Sequence, residues 1–584
     1  MGFRPADAST PGRGLLRPLC SGLLFGALIL CGLPGASGQA LPPDSAELHS
    51  RARNAQSRFE RLRVRRLPRE MVGSGGCDEV IGRICMSHDG DDDRDPPPEE
   101  PEITEARDAF LRELSGIAAR IPRDDWVVGQ RVWYALEAGR ADEALRVARD
   151  CAGEPWWCAA LRGLAAHGAE RFEVAERAFD EALATMPAER REEWSEAIEP
   201  VLGRERLRWL EDQPDRAQAL ERFWLLADPS WLIPGNDRRS AHYARLTAAR
   251  IRERAKNPYG LSWGFDLEEL LVRYGWEVSW GRDVWRAGRM GEERVVGHHP
   301  PKSREYAPPV AVLERPLETG PDDWALERER PHTAYAPVYA RGIEPMVAQF
   351  AAFRREDGVL LVAAPDSVDL PGDRGLVAVG LDSRRWVGGP RSGAVFSERL
   401  PWGDWMLSAE WIDRESGRAR RTRYGARFEP VPADVAALSD LLLVDGGDRL
   451  PATLGDAIRR AHAGRIVHSG ERLALAWELY RLGGGGQEVG YRVLLEPLER
   501  GLFRRAGEWA GLLDPERPVV LAWSEVDDPS PEPRFRAVDL VLPDLEEGAY
   551  RLTLEVSFPG RSVLTAAQEL RVLGEAALAH APGT

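Results

Sequence analysis

The sequence lacks the features that most directly identify membrane-spanning, nucleic-acid-binding or nucleotide-binding proteins. After residue 40, no apolar stretch reaches the ~20 residues that a membrane-spanning helix needs. Positive charge is in deficit, because 94 Asp and Glu residues outweigh 78 Lys and Arg residues, and a formal net charge of -16 repels phosphate backbones. No glycine-rich loop stands before a predicted helix, where it could cradle a phosphate. We therefore expect a globular protein whose partners are not nucleic acids.

Residues 1–40 have the pattern of a secretory signal peptide. Arg13 and Arg17 precede an uncharged, mostly apolar stretch at 19–33, and small residues that suit a signal peptidase follow it. We predict an exported protein of the periplasm or cell surface with no membrane span in the mature chain. The alternatives are an uncleaved anchor and a lipoprotein attached through Cys31.

Cysteine is scarce, with six residues in the chain, two of them in the predicted leader. The other four are Cys77, Cys85, Cys151 and Cys158. An even number in an exported chain favours disulfides, and the simplest of three possible pairings joins 77 to 85 and 151 to 158. The alternative for the first pair is part of a zinc site with His88.

Residues 41–103 are predicted to be a low-order segment that holds the first cysteine loop and an acidic, proline-rich linker. Alternating aspartates from Asp89 to Asp95, followed by Glu100, have the spacing of a calcium-binding loop. Arg94, however, stands where such a loop needs glycine. We therefore predict a linker, with no metal and no cofactor.

From residue 104 to 280 apolar residues recur at three- and four-residue intervals, which predicts helices. One predicted hairpin alternates small and large residues in a fixed register. The residues that form this register are Gly163, Ala175, Phe179, Ala182 and Pro187. On these residues the region resembles the tetratricopeptide repeat, a family of stacked helical hairpins. The resemblance implies a groove that binds a protein or peptide partner.

A second pattern lies near the end of the helical region. It consists of Phe223 and Trp224, then Asp228 and Pro229, then a helix, then Gly275 and Trp276. In this order of elements the chain resembles the GWxTD domain of secreted bacterial proteins. Val278 and Ser279 replace the Thr and Asp of the motif, and the resemblance implies no activity.

The third part of the chain is predicted to be β-structure. Residues 281–345 form an irregular linker or wrapping segment, after which hydrophobicity alternates with a period of two. Short strands between glycine and proline turns predict two immunoglobulin-like β-sandwiches, at 346–428 and 429–573, with a tail at 574–584. The predicted fold class is multidomain α+β, with tetratricopeptide-like hairpins followed by these two modules.

Two strands of the second module are predicted to form one β-hairpin. They lie at 473–480 and 491–495, and the glycines at 483–486 connect them.

Tryptophan is abundant, with 20 residues, 12 of them between positions 126 and 285. Aromatic residues at helical spacing are usually core. Trp156 with Trp157, and Trp276 with Trp280, cannot all face one core, however. Exposed members of these pairs are therefore the candidate binding residues, for a peptide or a stacked sugar.

His298 and His299 are candidate metal ligands, but adjacent side chains of an extended chain point apart. No spacing that we recognise predicts a catalytic constellation. The leading hypothesis is an exported, non-enzymatic scaffold or protein–protein interaction protein of the bacterial envelope, with its partner in the helical region. The alternative is a glycan- or small-ligand-binding protein that uses the tryptophans. The third hypothesis is a metal-dependent hydrolase whose metal is held by His298 and His299.

Overall fold

The computed structural model describes part of the chain, and its helices precede its β-rich part as the sequence predicts. The described residues are 43–70, 79–86, 98–283, 294–300, 303–324, 326, 331–340, 342–366, 371–381, 386–391, 393–432, 434–482, 486–498, 519–526 and 533–574. The predicted signal peptide lies outside these residues. Among the described helices, none combines the length and the apolar character needed to cross a membrane.

The described residues contain thirteen α-helices, eleven of which lie before residue 275. The helices are α1 (Pro43–Arg66), α2 (Pro101–Ala118), α3 (Asp125–Glu137), α4 (Ala141–Arg149), α5 (Pro155–Gly168), α6 (Phe172–Thr185), α7 (Ala188–Glu196), α8 (Glu199–Glu211), α9 (Arg216–Ala227), α10 (Asp237–Glu253), α11 (Phe265–Tyr274), α12 (Val310–Glu314) and α13 (Leu454–Arg459).

Side-chain caps start several of these helices where the sequence suggests. The Asp124 carboxylate accepts a hydrogen bond from the backbone N–H of Val127 at 3.0 Å and so caps α3. Asp215 caps α9 in the same way. The cap of α10 is Asn236, whose side chain accepts from the backbone N–H of Arg239.

The prediction of low order at 41–103 is wrong for its first third. Helix α1 runs for 24 residues, and Leu48, Ala52, Ala55 and Phe59 form a buried stripe along it. Phe59 stacks on the ring of Phe110 in α2, at 5.6 Å between centroids. The apolar stripe is narrow and charged residues surround it. The overall composition of the segment therefore does not indicate a helix that packs on a core.

Helices α5 and α6 form the hairpin that the tetratricopeptide-like register predicts. A Cβ atom added to Gly163 would lie 2.5 Å from the ring of Phe179, so only glycine allows this close approach. The predicted Cys151–Cys158 disulfide is present, and it joins the end of α4 to the start of α5. The Cys77–Cys85 pairing falls outside the described side chains.

The strands are mostly short, and most of them lie in the C-terminal part that the sequence predicts to be β-structure. They are β1 (Arg69–Glu70), β2 (Glu79–Ile81), β3 (Ile84–Met86), β4 (Ser279–Asp283), β5 (Arg294–His298), β6 (Ile343–Pro345), β7 (Ala348–Arg355), β8 (Gly358–Pro365), β9 (Asp373–Gly380), β10 (Trp386–Pro390), β11 (Phe396–Pro401), β12 (Gly403–Asp413), β13 (Arg418–Phe428), β14 (Ala437–Leu438), β15 (Leu442–Asp445), β16 (Ile466–His468), β17 (Arg472–Tyr480), β18 (Glu488–Pro497), β19 (Val519–Val526), β20 (Arg534–Val541), β21 (Gly548–Ser557) and β22 (Leu564–Leu573).

Four larger sheets stack as successive layers on the helical region. Sheet 1 has the order β10-β9-β12-β13-β6, and sheet 2 has the order β11-β8-β7. In sheet 3, β17 pairs with β14 and β15 and also with β20, and sheet 4 has the order β16-β22-β21-β18-β19. Separate apolar clusters join sheet 1 to sheet 2, sheet 2 to sheet 3 and sheet 3 to sheet 4.

Strand β9 shows why the first of these layers is buried on both faces. Val377 and Val379 pack into the core of the helical region, whereas Leu376 and Ala378 pack against sheet 2. Side chains of a strand alternate between faces, so a continuous apolar run is what a doubly covered strand requires.

The predicted hairpin at 473–495 is wrong. Strand β17 lies in sheet 3 and β18 lies in sheet 4, so the connection crosses between layers. Trp477 and Tyr491 nevertheless meet in the core between these sheets, at 5.8 Å between ring centroids. Alternation identifies a strand but not its neighbour, which explains the error.

The described parts of 281–345 pack against their neighbours and are not an extended linker. Strand β5 pairs with β4, and β4 pairs with β1 near the N-terminus. Further along, Tyr306, Tyr335 and Tyr339 are buried. This segment therefore fills the space between the helices and sheet 1.

Candidate functional site

Two of the four candidate binding tryptophans are core residues. Trp156 is 4% exposed and Trp157 is 3% exposed, and their rings contact each other at 5.7 Å. The Trp157 indole donates to the carbonyl of Asp125 at 3.1 Å. The prediction that they bind a ligand is therefore wrong, because their surfaces are covered by protein.

The other two tryptophans are half-buried and also pack against the protein. Trp276 meets Trp133 edge to face at 5.8 Å between centroids. Trp280 meets Tyr259 at 4.9 Å. These contacts are typical of aromatic core packing and leave no paired indole platform for a sugar.

The inner face of the predicted groove is occupied by the chain itself. Helix α10 packs against α3 and α5, the first helices of two successive hairpins. Gln130 donates to the carbonyl of Ile251 at 2.9 Å, and both residues are buried. Arg250 lies over the ring of Trp156 at 5.0 Å. The groove is therefore not open to a peptide.

His298 and His299 point to different neighbours. His298 in β5 is 2.7 Å from the carboxylate of Glu70 in β1, on the other side of β4. Burial lowers the pKa of His299 to about 4, and its ring nitrogens have no hydrogen-bond partner in the described residues. No group of three potential ligand side chains in the described part of the chain is placed to hold a metal ion.

Gly260, Ser262 and Gly264 have the Gly-x-Ser-x-Gly spacing of a hydrolase nucleophile elbow, which the sequence-based hypothesis overlooks. An elbow needs a strand that turns sharply into a helix. Here helix α10 precedes the segment. The Ser262 carbonyl accepts from Arg83 at 2.8 Å, and its hydroxyl accepts from the same guanidinium at 3.3 Å. The local geometry is therefore that of a connecting loop.

An open depression of about 500 Å³ lies between α1 and α2 on the helical region. Its apolar floor consists of Leu48 and Ile117, which are 7% and 3% exposed. Its rim carries three arginines and one glutamate. These rim residues are Arg51, Arg112, Arg120 and Glu113.

The charge of this rim is opposite to that of the whole chain. Glu113 is paired with Arg51 at 3.1 Å and with Arg58 at 2.9 Å, so its negative charge is already balanced. Arg120 lies 3.8 Å from the Asp44 carboxylate, so the positive charge of the rim comes from the excess of its arginines over these two carboxylates. Sequence patterns give no warning of this site, because its arginines come from two helices separated by the acidic segment.

A second polar cluster joins the helices to sheet 1. Arg423 donates to the carbonyl of Asp228 at 2.7 Å, and Arg421 donates to that of Pro229 at 2.6 Å. Glu410 accepts from the hydroxyl of Ser230 at 2.5 Å. Asp228 and Pro229, which are part of the GWxTD resemblance, therefore form the contact between the helical region and sheet 1.

The acidic groups of this cluster are strongly perturbed. Burial, with the Asp237 carboxylate nearby, raises the pKa of Asp228 well above its ordinary range. Burial also raises the pKa of Asp237 to about 7, although Tyr335 donates to it at 2.8 Å. Burial opposes ionisation of Glu410, but Arg423 holds its pKa below the usual value.

Comparisons with known proteins give no family for the chain. No family model matches it, and no curated protein matches it. It is similar to a crystal structure described as a membrane-anchored protein of Corynebacterium diphtheriae, with 13% identity over 43% of this chain and 63% of that one, at a TM-score of 0.14. It is also similar to a transglutaminase of red sea bream, with 9% identity over 55% of this chain and 44% of that one, at a TM-score of 0.14. The chain spans less than two thirds of either structure, and likenesses at this level assign no activity.

Proposed function

We propose that the protein is an exported, non-enzymatic scaffold of the bacterial envelope that binds an acidic segment of a partner protein. The observation that supports it is the positive rim of the α1–α2 depression on a chain of net charge -16. A cation-rich patch on an acidic protein attracts one region of a partner while the remaining surface repels it. The Cys151–Cys158 disulfide fits export to an oxidising compartment.

The layered packing supports a scaffold role. Apolar clusters join the helices and four sheets in sequence, so the depression is held at a fixed distance from the far sheet. Helix α10 fills the groove of the hairpins, and this contact makes the helical region more rigid. The proposal keeps the tetratricopeptide-like, GWxTD-like and immunoglobulin-like resemblances of the sequence. It differs from the sequence-based hypothesis in one respect: the partner binds at the α1–α2 depression and not in the groove of the hairpins.

The test is charge reversal at the rim. The mature chain is crosslinked to an envelope fraction of the source bacterium, and the crosslinked partners of wild type and of a variant with Arg112→Glu and Arg120→Glu are compared by mass spectrometry. The control variant carries Arg492→Glu and Arg551→Glu, two surface arginines of sheet 4 that are about half exposed. We expect partners that the rim variant loses and the control keeps.

Salt provides the second readout. Attraction between exposed charges weakens as ionic strength rises, because the screening length falls to roughly 8 Å at 0.15 M salt. The same partners should therefore be lost in high salt. Partners that survive both charge reversal and salt would contradict binding at this rim.

A further inference from the structure

Among the described strands, β19 is the edge of sheet 4 next to β18. It pairs with β18, and no other described strand pairs with it. Its residues 519–526 include no proline and no lysine, the usual devices that protect an edge strand from pairing with another chain. Its one charged residue, Glu525, is already engaged by Arg536 at 2.6 Å and by the Tyr491 hydroxyl at 2.9 Å. Among the described strands, the outer backbone edge of β19 is therefore unpaired, and its one charge is already balanced.

The two faces of β19 follow from its register with β18. Trp523 lies opposite Tyr491, which is a core residue, and the two rings stack at 5.0 Å. Trp523, Leu521 and Glu525 therefore face the core side of the sheet. The alternate residues lie on the outer side, where Val520 is 47% exposed and Val526 is 70% exposed.

On the outer side the pattern of β19 is symmetric about Trp523, whereas on the core side Leu521 and Glu525 stand at matching positions and differ. Val520 and Val526 stand three residues on either side of it, and Ala522 and Ser524 stand one residue on either side. Residues directly opposite in an antiparallel pair point to the same face of the sheet. A two-fold axis perpendicular to the sheet, midway between the Trp523 residues of two copies, leaves the core sides of both sheets on one face and their outer sides on the other. It would place Val520 of one copy opposite Val526 of the other, and Ala522 opposite Ser524.

We propose that the occupant of this edge is a second copy of the chain, joined by antiparallel β19–β19 pairing centred on Trp523. The pairing would merge two five-stranded sheets into one of ten strands and would cover both exposed valines. The contact is isologous, so it closes as a dimer and does not extend into a fibre. It lies on sheet 4, away from the α1–α2 depression, so either proposal can fail without the other.

The first test is the oligomeric state of the mature chain, measured by sedimentation velocity over a wide concentration range. We expect a monomer–dimer equilibrium for wild type and a monomer for the variant with Val520→Lys and Val526→Lys, which places like charges opposite each other. Val563→Lys is the matched control, because Val563 is 53% exposed and lies outside β19. A wild type that stays monomeric, or a lysine variant that still dimerises, would overturn the proposal.

The second test fixes the register. Chains with Val520→Cys or with Val526→Cys are oxidised separately and as an equimolar mixture after subunit exchange. Pairing centred on Trp523 predicts a disulfide-linked dimer in the mixture only, because each engineered cysteine faces the other position across the axis. Crosslinking of either variant alone, or none in the mixture, would rule out this register. Binding of a different protein's strand to a monomeric chain would also count against it.

Discussion

The Arg423 guanidinium lies 3.0 Å from the Glu410 carboxylate on the neighbouring strand, and the two side chains are 0% and 1% exposed. The same guanidinium reaches the carbonyl of Asp228 in the helical region and lies 4.0 Å from the ring centroid of Trp231. One buried cation therefore connects two strands of sheet 1 to the helices. Removing both ions from water is costly, so the pair depends on every one of these contacts.

Glu410→Gln is expected to destabilise the protein strongly. The substitution keeps the size of the side chain but leaves the Arg423 charge buried without a counter-ion, which costs roughly 3–5 kcal/mol. Urea unfolding monitored by tryptophan fluorescence measures the loss.

The control for this prediction is Glu569→Gln. Glu569 pairs with Arg551 at 3.0 Å, but both side chains are about half exposed. Exposed pairs contribute about 0–1 kcal/mol, so this variant should unfold almost like wild type. Equal effects of the two substitutions would show that the buried pair does not hold the layers together.

Asp237 is expected to make the protein less stable as pH rises through the acid range. Its pKa rises from 3.8 to about 7 on folding because of burial. The folded state then binds the proton more tightly than the unfolded state. This contribution is full below the unfolded pKa, is lost between pH 4 and 7, and amounts to at most about 4 kcal/mol.

The measurement is the free energy of unfolding of wild type and Asp237→Asn at several pH values between 4 and 8. Asparagine keeps an acceptor for the Tyr335 hydroxyl but cannot ionise, so the difference between the two proteins should change with pH. Asp544→Asn, at an exposed position, is the control and should follow wild type. A pH-independent difference for Asp237→Asn would refute the assignment.

Local signals in the sequence predict much of the fold. The aspartate caps at Asp124 and Asp215, the hairpin around Gly163 and the adjacent disulfide are each encoded within a few residues. Period-two alternation likewise predicts that the C-terminal half is β-structure. These features are predictable because backbone geometry and near neighbours determine them.

The layer interfaces and the candidate sites could not be predicted in this way. The Arg423–Asp228 contact joins residues 195 positions apart, and nothing near either residue signals the other. The buried stripe of α1 is hidden by its arginines, and α10 fills the groove from outside the repeat pattern. Tryptophan spacing wrongly predicts exposed indoles at 156 and 157. That prediction assumes that a helix of a hairpin is covered on one face only, whereas α10 packs on the hairpins and covers tryptophan side chains there as well.

Removing the disulfide should cost about 2.5 kcal/mol. The bond closes a short loop, with seven residues of separation between Cys151 and Cys158, and short loops gain least in the chain-entropy model. Differential scanning calorimetry of the variant with both cysteines changed to serine should show a lower Tm than oxidised wild type. An unchanged Tm would mean that the α4–α5 junction is held by packing alone.

Gly163→Ala should destabilise the protein, whereas Gly116→Ala should not. Both glycines lie in helices, where alanine normally adds up to ~1 kcal/mol of stability. A Cβ atom at position 163 would lie 2.5 Å from the Phe179 ring, so overpacking should cost about 1–3 kcal/mol, but a Cβ at position 116 meets nothing within 4 Å. Phe179→Leu combined with Gly163→Ala should recover part of the loss, because the smaller side chain makes room for the methyl group. Urea unfolding of the four proteins decides the matter: if both glycine variants are stabilised, the close packing of α5 on α6 is not what requires glycine at 163.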